Sequence, residues 1–485
     1  MSETRYARRF WLGALVGLLW TVLLLLVEVL LAVRTIVQVV LELATALVPI
    51  RFLSWLLGRV EGGAKPLALL LVLLSIAVCT GLIGVSLVRW PRYRPWTLWI
   101  LAVGSVVTSA WLSRTTLLLG LLVGVSSTAC LIGGLAVVTR NDALSFSRQR
   151  RALLRVLGMG GLLVSIGAVG RLLADLQARS RPPGAVDERG LPPALTPIGD
   201  FYVVSKNVSD PVIDSRSWRL RIHGRVEQPL ELDLAAITAR PGVRMIATLE
   251  CISNDVWGPY ISTGEWLGVP LRDLLREARP VEPVVDVILR AADGYSDSVP
   301  FSVALHPSTL LAYGLNGHTL PPEHGFPLRL VVPGIYGMKQ VKWITEIELS
   351  EIDYHGYWQQ RGWSDTAIVR IHSRIDVPRD GSVVPVGQEV FIGGIAFAGD
   401  RGIGRVELST DDGTTWQTVE QEAPLSPFSW VRWWMTWRPT VPGRYRLVVR
   451  AWDGRGQLQE PEERPPLPEG ATGWHRVGIV VRASA

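Results

Sequence analysis

Long apolar runs dominate the first 175 residues of the chain, whereas the rest is mixed and polar. Five of these runs approach the roughly 20 residues that a helix needs to cross a bilayer. They lie at residues 10–31, 67–88, 96–112, 116–138 and 153–173. The pattern therefore predicts an all-α transmembrane region over residues 1–177, with about five spans.

The segment at residues 34–59 is less regular, because Glu42, Pro49 and Arg51 interrupt its apolar positions. It is typical of an interfacial or partly re-entrant helix, and a sixth span is the alternative. With five spans, all the arginine-rich flanks fall on one side of the membrane, which the positive-inside rule makes cytoplasmic. These flanks hold Arg5, Arg8, Arg9, Arg89, Arg92, Arg94, Arg140, Arg148, Arg150 and Arg151. A multi-pass protein of the cell membrane, embedded in lipid, is predicted, with its soluble domains on the periplasmic or extracytoplasmic side.

Two adjacent arginines, Arg150 and Arg151, precede the last apolar run in Ser147-Arg-Gln-Arg-Arg-Ala-Leu-Leu-Arg. This segment resembles a twin-arginine export signal, which carries proteins already folded around a cofactor. Arginines that only mark the cytoplasmic end of a span are the alternative. Both interpretations predict the same orientation.

The periodicity changes after the last apolar run. Five prolines and several charges near residues 178–199 predict a semi-extended linker. Residues 200–365 mix short β-like runs with helical pieces such as 271–278, which predicts an α+β domain. Residues 366–485 alternate strands with tight turns, including Asp412-Gly413, and predict an immunoglobulin-like β-sandwich. The predicted strands lie at 218–222, 243–249, 284–289, 328–332, 389–397, 405–409, 416–420, 444–452 and 474–481.

The formal charge of +6 does not indicate nucleic-acid binding, because the arginines of the first half cluster at the ends of apolar runs. All seven histidines lie in the soluble half, so the spans cannot supply a histidine pair for a membrane haem. A Cys-x-x-Cys-His motif is also missing, which excludes attachment of a c-type haem. No haem is predicted.

Cys251 is alone in the soluble half, because Cys79 and Cys130 fall inside apolar runs. An internal disulfide is therefore excluded there. Cys251 lies where the strand-like run Ala247-Thr-Leu-Glu-Cys ends in the polar loop Ile-Ser-Asn-Asp-Val-Trp-Gly-Pro, a usual place for active residues. A buried core cysteine is the alternative. Dinucleotide, phosphate-loop and zinc-protease motifs are missing from the chain.

The sequence from about residue 201 to 481 resembles the sulfite oxidase family of molybdopterin enzymes. Thr248, Leu249, Cys251 and Asn254 reproduce the family's Thr-Leu-x-Cys-x-x-Asn setting, in which the cysteine ligates molybdenum. The stretch at 310–343, from Leu-Leu-Ala-Tyr-Gly to Met-Lys-Gln-Val-Lys-Trp, is similar to the family's cofactor-binding segment. The resemblance implies a molybdenum–molybdopterin cofactor with Cys251 as metal ligand, and a soft thiolate suits such a metal.

Further cofactor contacts are implied by the same resemblance. Arginine and lysine suit the phosphate of the cofactor, and histidine suits its polar heterocycle. The Asp-Gly pair at Asp293 equally suits a turn. The implied contacts are Tyr202, Val203, Asp293, His324, Arg329, Gln340, Val341 and Lys342.

Three positions bear on the substrate. Tyr313 matches the tyrosine that lies beside the metal in sulfite oxidases and hydrogen-bonds near the substrate; an interface tyrosine is the alternative. The family carries a sulfite-binding arginine five residues after the ligand cysteine, and this chain has Val256 there. The loss of that charge favours a less anionic substrate. Arg432 is a candidate counterpart of an arginine from the family's C-terminal domain, in an ambiguous register.

Together these features predict a membrane-anchored molybdenum-cofactor oxidoreductase. It would transfer an oxygen atom on a small sulfur-containing or related substrate and exchange electrons with a separate redox protein such as a cytochrome. A sulfoxide reductase is the alternative within the family, and a membrane-tethered binding protein without cofactor is the alternative outside it. The C-terminal domain resembles the family's dimerisation domain and implies a homodimer, whereas an accessory domain on a monomer is the alternative.

Overall fold

The computed structural model of the chain describes residues 10–11, 14–16, 82–83, 85, 186–207 and 210–483. The predicted membrane region, including its spans, the 34–59 segment and the twin-arginine motif, lies almost wholly outside these residues. Among the described residues, none belongs to a helix that is both long enough and apolar enough to cross a membrane. The described residues of 186–205 and 210–483 belong to one compact unit.

The first part of this unit combines strands and short helices, as the mixed pattern predicts. Its elements are β1 (Leu220–Gly224), β2 (Leu230–Leu232), α1 (Leu234–Thr238), β3 (Val243–Glu250), β4 (Ile261–Pro270), α2 (Leu271–Ala278), β5 (Asp286–Ala291), β6 (Ser296–Pro300), α3 (Phe301–Ala304), β7 (Leu310–Leu315), β8 (His318–Thr319), β9 (Arg329–Val331) and β10 (Ile344–Ser350). One sheet has the order β2–β1–β10–β5–β6, and β1 and β10 are parallel. A second sheet has the order β3–β4–β7–β8, with β9 paired to β7.

Helix α2 matches its predicted bounds because its apolar residues fall on one face. Leu271, Leu274, Leu275 and Ala278 are all fully buried, at the spacing of a helix that packs one stripe against a sheet. Strand β1 begins two residues later than predicted, because the Trp218 indole lies before the strand and donates to the Ile344 carbonyl at 3.0 Å. The larger core of this region lies where α2 packs beside β1, β5 and β10.

The C-terminal part is a β-sandwich, as predicted. Its strands are β11 (His372–Val377), β12 (Ser382–Pro385), β13 (Val390–Phe397), β14 (Ile403–Ser409), β15 (Gln417–Thr418), β16 (Glu420–Gln421), β17 (Val431–Trp437), β18 (Gly443–Asp453) and β19 (Arg476–Arg482). The two sheets have the orders β11–β13–β17–β16 and β12–β19–β18–β14–β15. Their facing apolar side chains form one core that includes the fully buried Trp433. Asp412 and Gly413 both have positive φ, which confirms a tight turn between β14 and β15.

The described end of the predicted linker is packed on the unit. The Thr196 amide donates to the Thr263 carbonyl at 2.8 Å, the Trp430 indole donates to the Ala194 carbonyl at 3.2 Å, and Leu191 is fully buried. Trp430 belongs to the sandwich part, and its amide donates to Thr248 Oγ1 in β3 at 2.8 Å. The sandwich therefore covers the outer edge of β3, the strand that leads to Cys251.

Candidate active site

Cys251 lies directly after β3, at the start of a loop that returns to β4. Its amide donates to the Tyr260 carbonyl and its carbonyl accepts from the Asn254 amide, both at 2.9 Å, so the loop is closed by backbone hydrogen bonds. The side chain is 8% exposed, and Sγ lies 3.1 Å from Ser253 Oγ. Burial raises the pKa of the thiol, although the hydrogen bond with Ser253 opposes the shift. Such a thiol keeps its proton at neutral pH until a metal replaces it.

Two tyrosines share the electrostatic surroundings of Cys251. Burial raises the pKa of Tyr202 well above its usual value, and the charges of Cys251 and Glu250 add to the shift. Burial and the nearby Asp297 carboxylate do the same to the pKa of Tyr295, whose hydroxyl oxygen lies 3.0 Å from Asp297 Oδ2. A Cβ atom on Gly337 would lie 2.7 Å from the Tyr202 hydroxyl, so a larger residue there would displace the phenol. Both phenols therefore remain protonated hydrogen-bond donors.

A buried guanidinium belongs to Arg329 in β9, which is 5% exposed. It donates to the carbonyls of His324 at 3.1 Å and Gln340 at 3.4 Å and lies 5.0 Å from the Trp266 ring. Among the described residues, no carboxylate lies within 4.0 Å of it. Burial lowers the pKa of Arg329 to about 10, so the group is still charged at neutral pH. A buried cation that has only neutral partners is a suitable site for an anionic group.

His324 ends a short 3-10 helix, Pro322–His324, and is 2% exposed. Its ring packs edge-on against Phe201, with the centroids 5.3 Å apart. Burial lowers the pKa of His324 to about 3, and the charges of Arg329 and Lys342 act in the same direction. The imidazole is therefore neutral at pH 7 and adds no third charge beside the two cations.

The residues after β9 bring three more predicted contacts to the same region. Lys342 Nζ donates to the carbonyl of Glu323, next to His324, at 2.9 Å. The side-chain amide of Gln340 is buried and donates to the Ile335 carbonyl at 2.8 Å, which fixes the preceding loop. Val341 is 1% exposed and packs in the larger core, so only its backbone could meet a cofactor.

Val203 and Asp293 make fewer contacts that link them to this region. Val203 is half-buried, and the carbonyl of the next residue, Val204, accepts from Lys342 Nζ at 3.3 Å, which places this segment beside the cationic group. Asp293 lies in the turn between β5 and β6, where its Oδ1 accepts from the Tyr295 amide at 2.9 Å. The turn alternative for Asp293 is thus present in the structure, and its contact with a cofactor stays a prediction.

Tyr313 does not lie near Cys251. Its hydroxyl is 2.7 Å from the position of a Cβ atom on Gly242, just before β3 begins, whereas Cys251 follows the other end of that strand. An eight-residue strand is roughly 25 Å long. The prediction that Tyr313 acts beside the metal ligand is therefore wrong, because the full length of β3 separates the two side chains.

The two positions that bear on anion binding are Val256 and Arg432. Val256 is 9% exposed and brings no charge to the loop after Cys251. Arg432 in β17 forms ion pairs with Asp187 at 2.8 Å and with Glu422. Its guanidinium is neutralised by two carboxylates, so the interpretation of Arg432 as a substrate-binding counterpart is not supported.

Several residues of the site carry no short-range sequence signal. Trp266 is fully buried between Arg329 and Phe201. Its sequence position is that of an ordinary core tryptophan of β4. Glu250 is buried beside Cys251, and its partner is His372, 122 positions away in the sandwich. Only the folded chain brings these groups together.

Comparison with known proteins agrees with this geometry. Residues 207–358 match the family model described as the oxidoreductase molybdopterin binding domain, and residues 365–482 match the Mo-co oxidoreductase dimerisation domain. The chain is 33% identical over 334 residues to sulfite oxidase of Gallus gallus, covering 58% of this chain and 72% of the relative. It is 31% identical over 340 residues to mitochondrial sulfite oxidase of Homo sapiens, covering 59% of this chain but only 62% of that protein.

The fold also has a counterpart among solved structures. The crystal structure of the sulfane dehydrogenase SoxCD from Paracoccus pantotrophus matches with a TM-score of 0.53 and 24% identity, over 60% of this chain and 82% of that one. The expected resemblance is thereby confirmed for the α+β domain and the sandwich. The chain belongs to the sulfite oxidase family of molybdopterin-dependent oxidoreductases.

Proposed function

We propose that this oxidoreductase transfers an oxygen atom on a small sulfur-containing or related substrate and exchanges the electrons with a separate redox protein such as a cytochrome. The observation that carries the proposal is the pairing of a buried thiol, Cys251, with a buried guanidinium, Arg329, that has no carboxylate within ion-pair distance among the described residues. Two relatives that support the substrate class are named sulfite oxidases. A dimer through the sandwich is part of the proposal, since that region matches a dimerisation domain.

The residues present fit a molybdenum–molybdopterin group. The Cys251 thiolate would hold the metal, because soft sulfur suits it. Arg329 and Lys342 would hold the phosphate, and neutral His324 would hydrogen-bond the pterin. When bound, the cofactor supplies the two-electron oxygen-atom chemistry, and the protein supplies position and electrostatics.

The remaining side chains define the space between the two ends of this site. Tyr202 is close enough to both Cys251 and Arg329 for each charge to influence the pKa of its hydroxyl. The Tyr295 hydroxyl donates to the Met338 carbonyl at 2.7 Å and holds its proton at neutral pH. With Tyr313 distant and the Tyr295 proton already donated to Met338, we assign the hydroxyl-donor role near the metal ligand to Tyr202.

A second direction of the reaction, reduction of a sulfoxide, is favoured by the charges at the two positions that bear on anion binding. Val256 is neutral, and Arg432 is paired with two carboxylates. A doubly charged substrate such as sulfite therefore finds little charge compensation there, whereas a neutral sulfoxide needs none. A substrate comparison with sulfite and methyl sulfoxides, using a redox dye, distinguishes the two directions.

The purified protein is expected to contain molybdenum and pterin near one per chain. The Cys251→Ser variant is expected to lose most of the molybdenum, and its kcat should fall at least about a thousandfold. Elemental analysis and the dye assay measure both. Ser217→Ala, at an exposed serine before β1, serves as a control that keeps the metal. A wild-type protein free of molybdenum and pterin would support the alternative of a binding protein without cofactor.

Arg329→Met removes the buried cation and is expected to lower pterin content at least about tenfold, since a charge-assisted pair with phosphate is among the strong hydrogen bonds. Arg438→Met is the matched control, because the Arg438 side chain is 62% exposed in a surface ion pair. Fluorescence of the oxidised pterin released from each variant measures the content. Equal content in both variants would contradict the role of Arg329.

Acid is expected to destabilise the cofactor-free protein through His324. Its folded pKa of about 3 lies below the ordinary 6.5, so the unfolded chain binds more protons and stability is lost as pH falls from 6.5. Between pH 6.5 and 4.5 this single group accounts for about 2 kcal/mol of the free energy of unfolding. His324→Gln should remove that loss in urea titrations at each pH. The exposed His318→Gln should retain it, and an unchanged slope in His324→Gln would contradict the assignment.

We infer a multi-pass membrane location with the soluble domains on the periplasmic or extracytoplasmic side. The support is the five apolar runs of residues 1–177 and the arginines at alternate ends of them. The same topology would hold the catalytic unit beside the lipid surface and an electron carrier of that compartment.

Protease added to spheroplasts of expressing cells is expected to cleave the region after residue 178 while the cell membrane stays intact. A cytoplasmic marker protein that remains whole is the control. Complete protection of the soluble half, with cleavage only after detergent lysis, would place it in the cytoplasm and overturn the charge argument.

A further inference from the structure

The loop from Cys251 to Tyr260 contacts the C-terminal sandwich at three side chains. We propose that the sandwich positions the metal ligand, with His372, Arg374 and His475 holding this loop so that Cys251 keeps a fixed place. This role is separate from dimerisation. It rests on the proposed function, because a positioned thiol serves the reaction only if it ligates the metal.

The first contact is a buried pair between Glu250 and His372. His372 Nδ1 lies 2.8 Å from Glu250 Oε1, and the two side chains are 7% and 4% exposed. The same carboxylate oxygen accepts from Asn254 Nδ2 at 3.0 Å, and Asn254 Oδ1 accepts from the Tyr260 amide at 2.9 Å. One histidine of β11 is thus connected, through two side chains, to both ends of the loop.

The second contact holds the middle of the loop. Arg374, in the same strand as His372, is 8% exposed and donates through Nη1 to the Gly258 carbonyl. Its Nε donates to Asp376 Oδ1 at 2.9 Å, which fixes the guanidinium in the sandwich. A Cβ atom on Gly258 would lie 2.3 Å from Asn254 Oδ1, so the loop folds closely on itself at this point.

The third contact involves the adjacent tryptophan. The ring of Trp257 lies roughly parallel to the ring of His475, with centroids 6.4 Å apart and planes 28° apart. His475 is itself held in place, because its Nδ1 accepts from the Ile375 amide at 2.9 Å. Trp257 is 60% exposed, so His475 provides a support for a side chain that would otherwise extend into solvent.

The nature of the first contact favours positioning over simple adhesion. Burying a pair of ionisable side chains is an inefficient way to join two domains, since apolar residues of similar size often stabilise as well or better. Glu250 Oε2 and His372 Nε2 are buried and have no hydrogen-bond partner within the part of the chain that the structure describes. A pair with unsatisfied atoms next to the ligand cysteine is therefore better explained by the geometry that it imposes on the loop.

Alkylation of Cys251 by N-ethylmaleimide, measured on the full chain made without cofactor, tests the proposal. Peptide mass spectrometry quantifies the alkylation of Cys251 separately from that of Cys79 and Cys130. His372→Ala is expected to increase the alkylation rate of Cys251 at least about tenfold, because the released loop opens more often. Arg374→Met, measured in parallel as a second variant, is expected to do the same.

Two further variants separate positioning from general destabilisation. Asp453→Asn removes a buried carboxylate that pairs with Arg401 at 2.9 Å elsewhere in the sandwich, and the rate at Cys251 should stay within about twofold of wild type. The double variant Glu250→Gln/His372→Gln provides two amides that can hydrogen-bond each other, and it should restore slow alkylation.

Unchanged alkylation in His372→Ala and Arg374→Met, or equal acceleration in Asp453→Asn, would overturn the proposal. The measurement needs no metal. A wild-type protein that never contains molybdenum would therefore defeat the proposed function and leave the result on the loop interpretable.

Discussion

The loop that starts at Cys251 must place a thiol in a buried site without leaving its own polar groups unpaired there. Burying a polar group without a hydrogen bond destabilises a fold by roughly 2–7 kcal/mol on solvent-transfer scales. The chain meets this constraint locally, through the backbone bonds between Cys251 and Tyr260. At long range it is met in part, because the Glu250–His372 pair leaves Glu250 Oε2 and His372 Nε2 without a partner among the described residues. The position of the sandwich over β3 follows from the same requirement, since its segment near Trp430 pairs with the outer edge of that strand.

The same cost of burying a polar group applies at the opposite end of the site, where the buried group is a cation. Arg329 keeps a buried positive charge that only carbonyls and an aromatic ring surround, while the neighbouring His324 is held neutral. An internal carboxylate would stabilise this cation but would also compete with any anionic ligand. Lys339 shows the contrast, because it is equally buried yet is paired with Asp297 at 3.2 Å and belongs to the scaffold. The absence of such a partner among the described neighbours of Arg329 supports the proposed role of this cation in binding an anion.

The two corrections at the site have one physical origin. Tyr313 belongs to a stretch whose sequence matches a cofactor-binding segment, but β7 aligns it with the start of β3 and not with its end. Arg432 has the charge of a substrate ligand, but the folded linker brings Asp187 to it. A motif specifies which side chains follow one another along the chain. Strand register and distant partners decide where each side chain lies and whether its charge is free to bind anything.

The sequence by itself determined the class of the protein and predicted its metal ligand. Alternation of apolar positions specified helix α2, the α+β region and the sandwich, because these patterns reflect burial of one face of each element. The isolation of Cys251 in the soluble half and its setting in Thr-Leu-Glu-Cys-Ile-Ser-Asn indicated the metal ligand. Only the tertiary structure brought Tyr202 and Tyr295 into the electrostatic surroundings of that cysteine, and His372 to the adjacent Glu250, since pairs separated by 44 to 122 residues leave no local pattern. Hydrogen bonds and desolvation act between groups that folding brings together, and those distances are set by the packing of the sandwich on β3.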